Sequence, residues 1–214
     1  AGMIFIGPST DVLSIMGDKI QAREKMQSLN IPLLPGCHDT SLNDQSLLAK
    51  AKEIGFPVLI KASAGGGGRA MSICEDSSHF IKGLKAIRNE AEKLFGSDLV
   101  YIEKYLKDSK HLEVQVLSDA HGHHLHCHER DCSAQRRKQK VIEEAPSPNL
   151  SSELREYLCK VSIDITEGIH YLGAGTLEFI QDVNDPKSIY FLEMNTRIQV
   201  EHVVSEVITQ IDLV

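Results

Sequence analysis

Apolar positions along the chain switch between a helical spacing and a spacing of two, and the switches predict where the elements lie. The run Met3–Ile6, closed by Gly7-Pro8, predicts a short buried strand, with Ser9 or Thr10 placed to cap the next helix. A strand there needs sheet neighbours and none precedes it, so the chain is expected to be truncated at its front. Residues 10–30 carry a helical pattern interrupted near Gly17-Asp18, and Pro32–Gly36 predict a loop. A helix over 44–55 closed by Gly55 leads to a strand over Phe56–Lys61. The glycine run Gly65–Gly68 separates it from a strand over Arg69–Cys74. An amphipathic helix over 76–95 and a strand over Leu99–Glu103 complete a small helix-and-sheet lobe.

The rest of the chain changes character. HLEVQVL (111–117) alternates strictly, with Leu112, Val114 and Val116 on one side and His111, Glu113 and Gln115 on the other. SDAHGH turns it back into HHLHCHE as an antiparallel hairpin, and the basic stretch RDCSAQRRKQK follows. A helix is predicted over 151–168, then a second hairpin of TLEFIQ and SIYFLEMN joined across Asp185-Pro186. The chain stops at Val214 within a helical pattern, so truncation is expected there too.

A hairpin symmetric about Asp185-Pro186 sets Glu178 opposite Glu193. Facing residues on an antiparallel pair hold their Cβ atoms about 4.5–5.5 Å apart, so the two carboxylates repel unless a cation sits between them. Alternation places Asn195 and Arg197 on the side of Glu193, while Leu192, Met194 and Ile198 face the core. Two carboxylates and an amide oxygen are hard ligands suited to Mg²⁺ or Mn²⁺ beside nucleotide phosphates. A solvated sheet face or a slipped register is the competing reading.

Other features are less specific. KASAGGGGRAM lacks the G-K-[ST] ending of a Walker A motif, yet its glycine N–H groups can approach phosphate oxygens, with Lys61 adding charge. A merely flexible turn reads equally well. Arg130, Arg136, Arg137, Lys138 and Lys140 make a basic loop that suits an anion or, more commonly, a solvated surface. His124, His126 and His128 share a strand face, but side chains at i and i+2 converge poorly on one zinc ion, and a polar sheet surface fits better.

Composition narrows the classes. Apolar residues make up 42% of the 214, enough for a continuous core. A net charge of -7, 5% aromatics and no Trp argue against a nucleic-acid partner. No apolar stretch approaches the roughly 18–20 residues of a membrane span, so no membrane partner is expected. Five cysteines without a C-x-x-C pair suit a reduced intracellular protein.

MGDK (16–19), KASAGGGGRAM (61–71), EKYL (103–106), ERDCSAQRRKQKVIEEAPSP (129–148) and EMNTRIQVEH (193–202) together resemble the biotin carboxylase subunit or domain of acyl-CoA and pyruvate carboxylases. That family belongs to the ATP-grasp superfamily, and the resemblance covers essentially the whole chain. It implies an α+β ATP-grasp fold with a small mobile lid and a larger, mostly antiparallel lobe. Residues 1–36 would end an N-terminal domain, 37–104 form the lid, and 105–214 form the second lobe with the metal and bicarbonate site. Lys19, Lys61, Gly67, Gly68 and His111 match ATP-contacting positions. Glu103, Lys104, Tyr105 and Leu106 match the adenine-holding stretch, and Lys138 sits where the family often has His. Glu178, Glu193 and Asn195 match the metal ligands. Lys140, Arg197, Gln199 and Val200 match the bicarbonate pocket, and Glu201 matches the general base.

The implied activity is ATP-dependent carboxylation of biotin on a carrier, through carboxyphosphate, using ATP, Mg²⁺ or Mn²⁺ and bicarbonate. Implied partners are a biotin carboxyl carrier protein or domain and a carboxyltransferase component, with a homodimer at full length. Localisation would be cytoplasmic, or the mitochondrial matrix in a eukaryote. A nucleotide-binding fragment without turnover, or another ATP-grasp ligase, is the alternative. An Arg197–Glu201 ion pair is a competing structural role for those two residues. Ala64, Ala70, Val203 and Gln210 depart from the family pattern, and Ala70 would stiffen the flap if its position needs a positive φ.

Overall fold

The computed structural model describes residues 2–64, 69–136 and 139–214. Two short helices open it, α1 (Thr10–Gly17) and α2 (Lys19–Ser28), separated at Asp18. Ser9 caps α1 by accepting from the Val12 N–H, and Asp18 caps α2 through the N–H groups of Ile20 and Gln21. Residues 2–6 form no strand. Met3 and Ile6 are 84% and 93% exposed, because no other described segment pairs with their backbone.

Residues 34–107 form one compact unit. It comprises β1 (Gly36–Cys37), α3 (Asp44–Ile54), β2 (Val58–Ala62), β3 (Met71–Cys74), α4 (Ser77–Phe95) and β4 (Val100–Lys104). The strands lie in the order β1-β4-β2-β3 and every pair is antiparallel. Apolar faces of both helices pack on the sheet, burying Leu47, Phe80, Leu84 and Ile87 against Val58, Ile60 and Ile102. Gly55, at φ 84°, ends α3 where the chain must reverse into β2.

Residues 1–33 and 108–214 form the second unit. It holds α1 and α2 together with β5 (Ser109–Ser118), β6 (His124–Asp131), β7 (Gln135–Arg136) and β8 (Gln139–Lys140). α5 (Ser152–Gly168), β9 (Gly173–Asp182), β10 (Ile189–Asn195) and α6 (His202–Thr209) complete it. The main sheet runs β10-β9-β5-β6, antiparallel throughout. One face carries Leu112, Val114, Val116, Leu177, Phe179, Phe191 and Met194, packed against Val12, Met16, Met26, Leu158 and Ile165.

Two one-residue irregularities set what the opposite face presents. Near the turn, Ile189 pairs with Gln181 and Phe191 with Phe179, one step out of the symmetric register. A shift at Leu192 then restores Glu193 opposite Glu178. The bulge leaves Leu192 half-buried, and Ile198 beyond the strand end is exposed; neither is a core residue as the alternation predicts. Between β5 and β6, Val116 faces His126 but Val114 faces Glu129, so one extra residue of β6 is absorbed where His128 takes φ 60°. Arg130 therefore lies opposite Glu113; the unshifted register would put Glu129 there. Arg130, Glu113, Glu178 and Glu193 form one row across all four strands.

Candidate active site

Three carboxylates in a row are untenable without counter-charge, and the sequence supplies it from two directions. Arg130, with no exposed surface, donates from Nε to Glu113 Oε1 at 2.6 Å. Lys140, delivered by β8, directs its three ammonium protons to three carboxylates. It donates to Glu178 Oε1 at 3.0 Å, to Glu201 Oε1 at 2.8 Å and to Glu113 Oε2. Between Glu113 and Glu178 the counter-charge is the Lys140 ammonium.

Glu178 is the most heavily bonded acid. His111 Nε2 donates to its Oε2 at 2.7 Å, and Asn195 Nδ2 to its Oε1 at 2.9 Å. Gln199 Nε2 stands 3.5 Å from the same oxygen. Gln135 Nε2 donates to His111 Nδ1 at 2.8 Å, which leaves the Nε2–H for Glu178. Burial alone would raise the Glu178 pKa, but the His111 and Lys140 contacts outweigh it and bring it down to about 2. Burial likewise works against the Lys140 ammonium, and Glu113 and Glu178 reverse the effect, so its pKa is raised.

Glu201 stands at the N-terminus of α6, immediately before His202. Burial raises its pKa, but the Lys140 hydrogen bond and charge lower it on balance. Its ion-pair partner is Lys140, not Arg197. The Arg197 side chain is exposed and its Nη1 donates to the Ile198 carbonyl at 3.1 Å. Arg130 also reaches α6, donating from Nη1 to Ser205 Oγ at 2.8 Å and to Gln115 Oε1 at 3.1 Å.

Glu143 borders this cluster with both carboxylate oxygens buried and unpartnered among the described residues. Burial and the Glu113 charge push its pKa up to about 7. Burial also pushes the Cys132 thiol up. Ligand atoms of Glu113, Cys132 and Glu143 lie within 4.8 Å of one another, but Lys140 already holds Glu113 Oε2.

The expected site residues divide clearly. Lys140, Glu178, Glu201, His111, Asn195 and Gln199 join one hydrogen-bonded cluster. Glu193 faces Glu178 in register with its side chain in solvent, and Arg197 and Val200 are exposed beside them. Among the described residues, the pairing of Glu178 and Glu193 and the hard oxygens of both, with Asn195 on the same strand, fit a divalent cation at the outer end of the row. In the other unit, Lys61 Nζ lies 2.5 Å from Glu103 Oε2 and 5.6 Å from the Tyr101 ring centre. His38 Nε2 is 3.4 Å from the second Glu103 oxygen. Lys104 is an internal brace there, donating from Nζ to the carbonyls of Gly55 (2.8 Å) and Phe56 (3.0 Å). Tyr105 and Leu106 follow β4, half-buried, and the Tyr105 N–H donates to the Pro57 carbonyl at 3.1 Å. Lys19 opens α2 directly after its Asp18 cap. Gly67, Gly68 and Lys138 lie outside the described residues.

Glu113 and Arg130 were not singled out as a pair by sequence. Glu113 reads as one polar position in an alternating strand, and Arg130 as part of a basic surface loop; Arg130 is instead the largest fully buried side chain. Of the positions that depart from the family pattern, Ala70 and Gln210 sit at positive φ, 47° and 58°. His123 pairs with Asp119 at 2.7 Å and His124 with Ser118 at 2.8 Å. Among the described residues, no helix is long and apolar enough to cross a membrane.

Residues 18–214 match the family described as carbamoyl-phosphate synthase L chain, ATP binding domain. Biotin carboxylase 1 of Bacillus subtilis is 48% identical over 210 residues, covering 98% of this chain and 46% of that protein. The crystal structure of a biotin carboxylase–β,γ-ATP complex from Campylobacter jejuni superposes with a TM-score of 0.92 at 44% identity, over 98% of this chain and 46% of that one. The biotin carboxylase domain of Hydrogenobacter thermophilus 2-oxoglutarate carboxylase, in complex with MgADP, ADP and bicarbonate, gives a TM-score of 0.92 at 46% identity, covering 99% and 46%. The chain spans about half the length of the relatives it matches.

Proposed function

The chain belongs to the carbamoyl-phosphate synthase L chain ATP-binding domain family and has the ATP-grasp fold; from that premise we propose that it is the central part of a biotin carboxylase. The reaction is ATP-dependent carboxylation of biotin on a carrier, with bicarbonate as the carbon source. The observation that supports it best is Lys140 shared among Glu113, Glu178 and Glu201, a preorganised charge cluster.

Phosphoryl transfer needs positioning and charge neutralisation more than covalent help from the protein. Glu178, Glu193 and Asn195 would hold Mg²⁺ or Mn²⁺, which supplies charge neutralisation at the phosphates when bound. Arg197 offers a planar fork with unused donors, suited to a bidentate oxyanion such as bicarbonate. Lys140 adds a cation whose charge the carboxylates maintain. Glu201 takes the bicarbonate proton once the incoming anion draws Lys140 away, because losing that contact raises the basicity of its carboxylate. Lys61 is the phosphate-binding charge of the other unit, and Glu103 sets its position until nucleotide arrives.

The carrier and the carboxyltransferase component are the proposed partners. Measuring ADP release by the full-length protein, with and without bicarbonate and free biotin, tests the reading. Release that requires bicarbonate and rises with biotin supports it. Release indifferent to biotin would assign the chain to another ATP-grasp ligase.

A further inference from the structure

We propose that Arg130 is a positioning residue for Glu201, acting both through the Glu113–Lys140 ion pairs and through Ser205 on α6. The inference rests on the reading of Glu201 as the base. Arg130 has no exposed surface, and its Nη2 is buried without a hydrogen-bond partner among the described residues. A buried guanidinium with one idle nitrogen is costly, so stability alone is a poor reason for its presence.

Its bonded nitrogens divide their work. Nε holds Glu113 Oε1 at 2.6 Å, and Glu113 Oε2 is one of three acceptors of Lys140. With Arg130 present, half of the Glu113 charge is already answered, and Lys140 can extend to Glu201 at 2.8 Å. Without it, Glu113 is a buried carboxylate with a single cation and draws Lys140 inward. Nη1 holds Ser205 Oγ at 2.8 Å. Ser205 is four residues after Glu201, so it lies on the same side of α6 and one turn along. That bond fixes where the helix starts and hence where the Glu201 carboxylate stands. The one-residue shift in β6 places Arg130 opposite Glu113, so the same irregularity that breaks the strand aligns both routes.

The groups facing Glu201 are Lys140 from β8, Glu143 from the following loop and Arg130 from β6, with Glu113 and Glu178 behind Lys140 and His202 on its own helix. Arg130→Gln, Ser205→Ala and Glu201→Gln in the full-length protein provide the test, read as bicarbonate-dependent ATP cleavage. Arg130→Gln is expected to lower kcat about 10²-fold, as for a misplacement near 1 Å, while KM for ATP stays unchanged. The acidic limb of its kcat profile moves to higher pH, since Lys140 turns toward Glu113 and releases Glu201. Added to Glu201→Gln, it costs nothing further, because residues acting as a unit are not additive. Ser205→Ala shows a smaller loss with the same pattern and carries the test if Arg130→Gln does not fold. Equal losses in both backgrounds with an unmoved acidic limb, or a parallel rise in KM for ATP, would overturn the proposal. Wild-type protein without bicarbonate-dependent cleavage would overturn the proposed function, and this inference with it.

Discussion

Lys140 Nζ lies 2.8 Å from Glu201 Oε1 while the same ammonium also serves Glu113 and Glu178. One side chain from a short β-ribbon thereby ties a sheet row to the start of a helix. Lys140→Met removes the cation that, among the described residues, touches all three. The cost is about 3–5 kcal/mol, as for breaking a buried pair by deleting one partner. For a chain of this size each kcal/mol lowers Tm by about 2–4 °C, which calorimetry resolves. A Tm within a degree of wild type would mean that the ion pairs carry no stability.

Glu178 and Glu193 face each other but should respond differently to neutralisation. Facing-carboxylate repulsion alone predicts that removing both charges relaxes the sheet. The structure reverses this for Glu178, whose oxygens accept from His111, Lys140 and Asn195. Its pKa is lowered to about 2 from 4.5, so its contribution is fully present above pH 4.5 and is lost as pH falls toward 2. Glu178→Gln therefore lowers Tm at pH 7 and flattens the acid limb of stability, whereas Glu193→Gln, with its side chain in solvent, leaves Tm at pH 7 unchanged. Each variant loses Mg²⁺-dependent nucleotide binding in a calorimetric titration.

Glu143 runs in the opposite sense. Its folded pKa is raised to about 7 from 4.5, so the stability it contributes is complete below pH 4.5 and is lost as pH rises through 7. Glu143→Gln removes the ionised form. Relative to wild type its Tm is unchanged near pH 4.5 and higher at pH 8. Solvent screening reduces the gain to about 1 kcal/mol, or about 2–4 °C. Parallel Tm curves across that range would contradict the assignment.

Gln210 closes α6 at φ 58°, a conformation that costs an L residue about 1–2 kcal/mol and glycine little. Gln210→Gly is expected to stabilise by about 0.5–1 kcal/mol after the entropy of the more flexible unfolded chain is subtracted. Denaturant unfolding with an unchanged slope would register it; a destabilised variant would show that the Gln210 side chain contributes more than its backbone costs.

The helices, both hairpins and the Glu178–Glu193 pairing are legible in the sequence because period and turn chemistry are local. The rest depends on single-residue shifts. A bulge changes which residue faces which without altering composition, so symmetric counting about Asp185-Pro186 finds Glu193 but misplaces Phe191, and nothing local announces that Arg130 faces Glu113. Arg130 and Lys140 look like surface charge in a basic loop, and only the folded chain brings them to carboxylates on three other elements. Met3–Ile6 is strand-like by pattern and exposed in fact, since a strand is made by its neighbours.

The most direct measurement is the rate of ADP release by the full-length protein with bicarbonate and free biotin, compared between wild type and Glu201→Gln. The account predicts bicarbonate-dependent release stimulated by biotin in the wild type. In the variant it predicts a loss of about 10²–10⁴-fold, the usual worth of a positioned base, with ATP affinity retained. Comparable bicarbonate-dependent rates in the two proteins would contradict it.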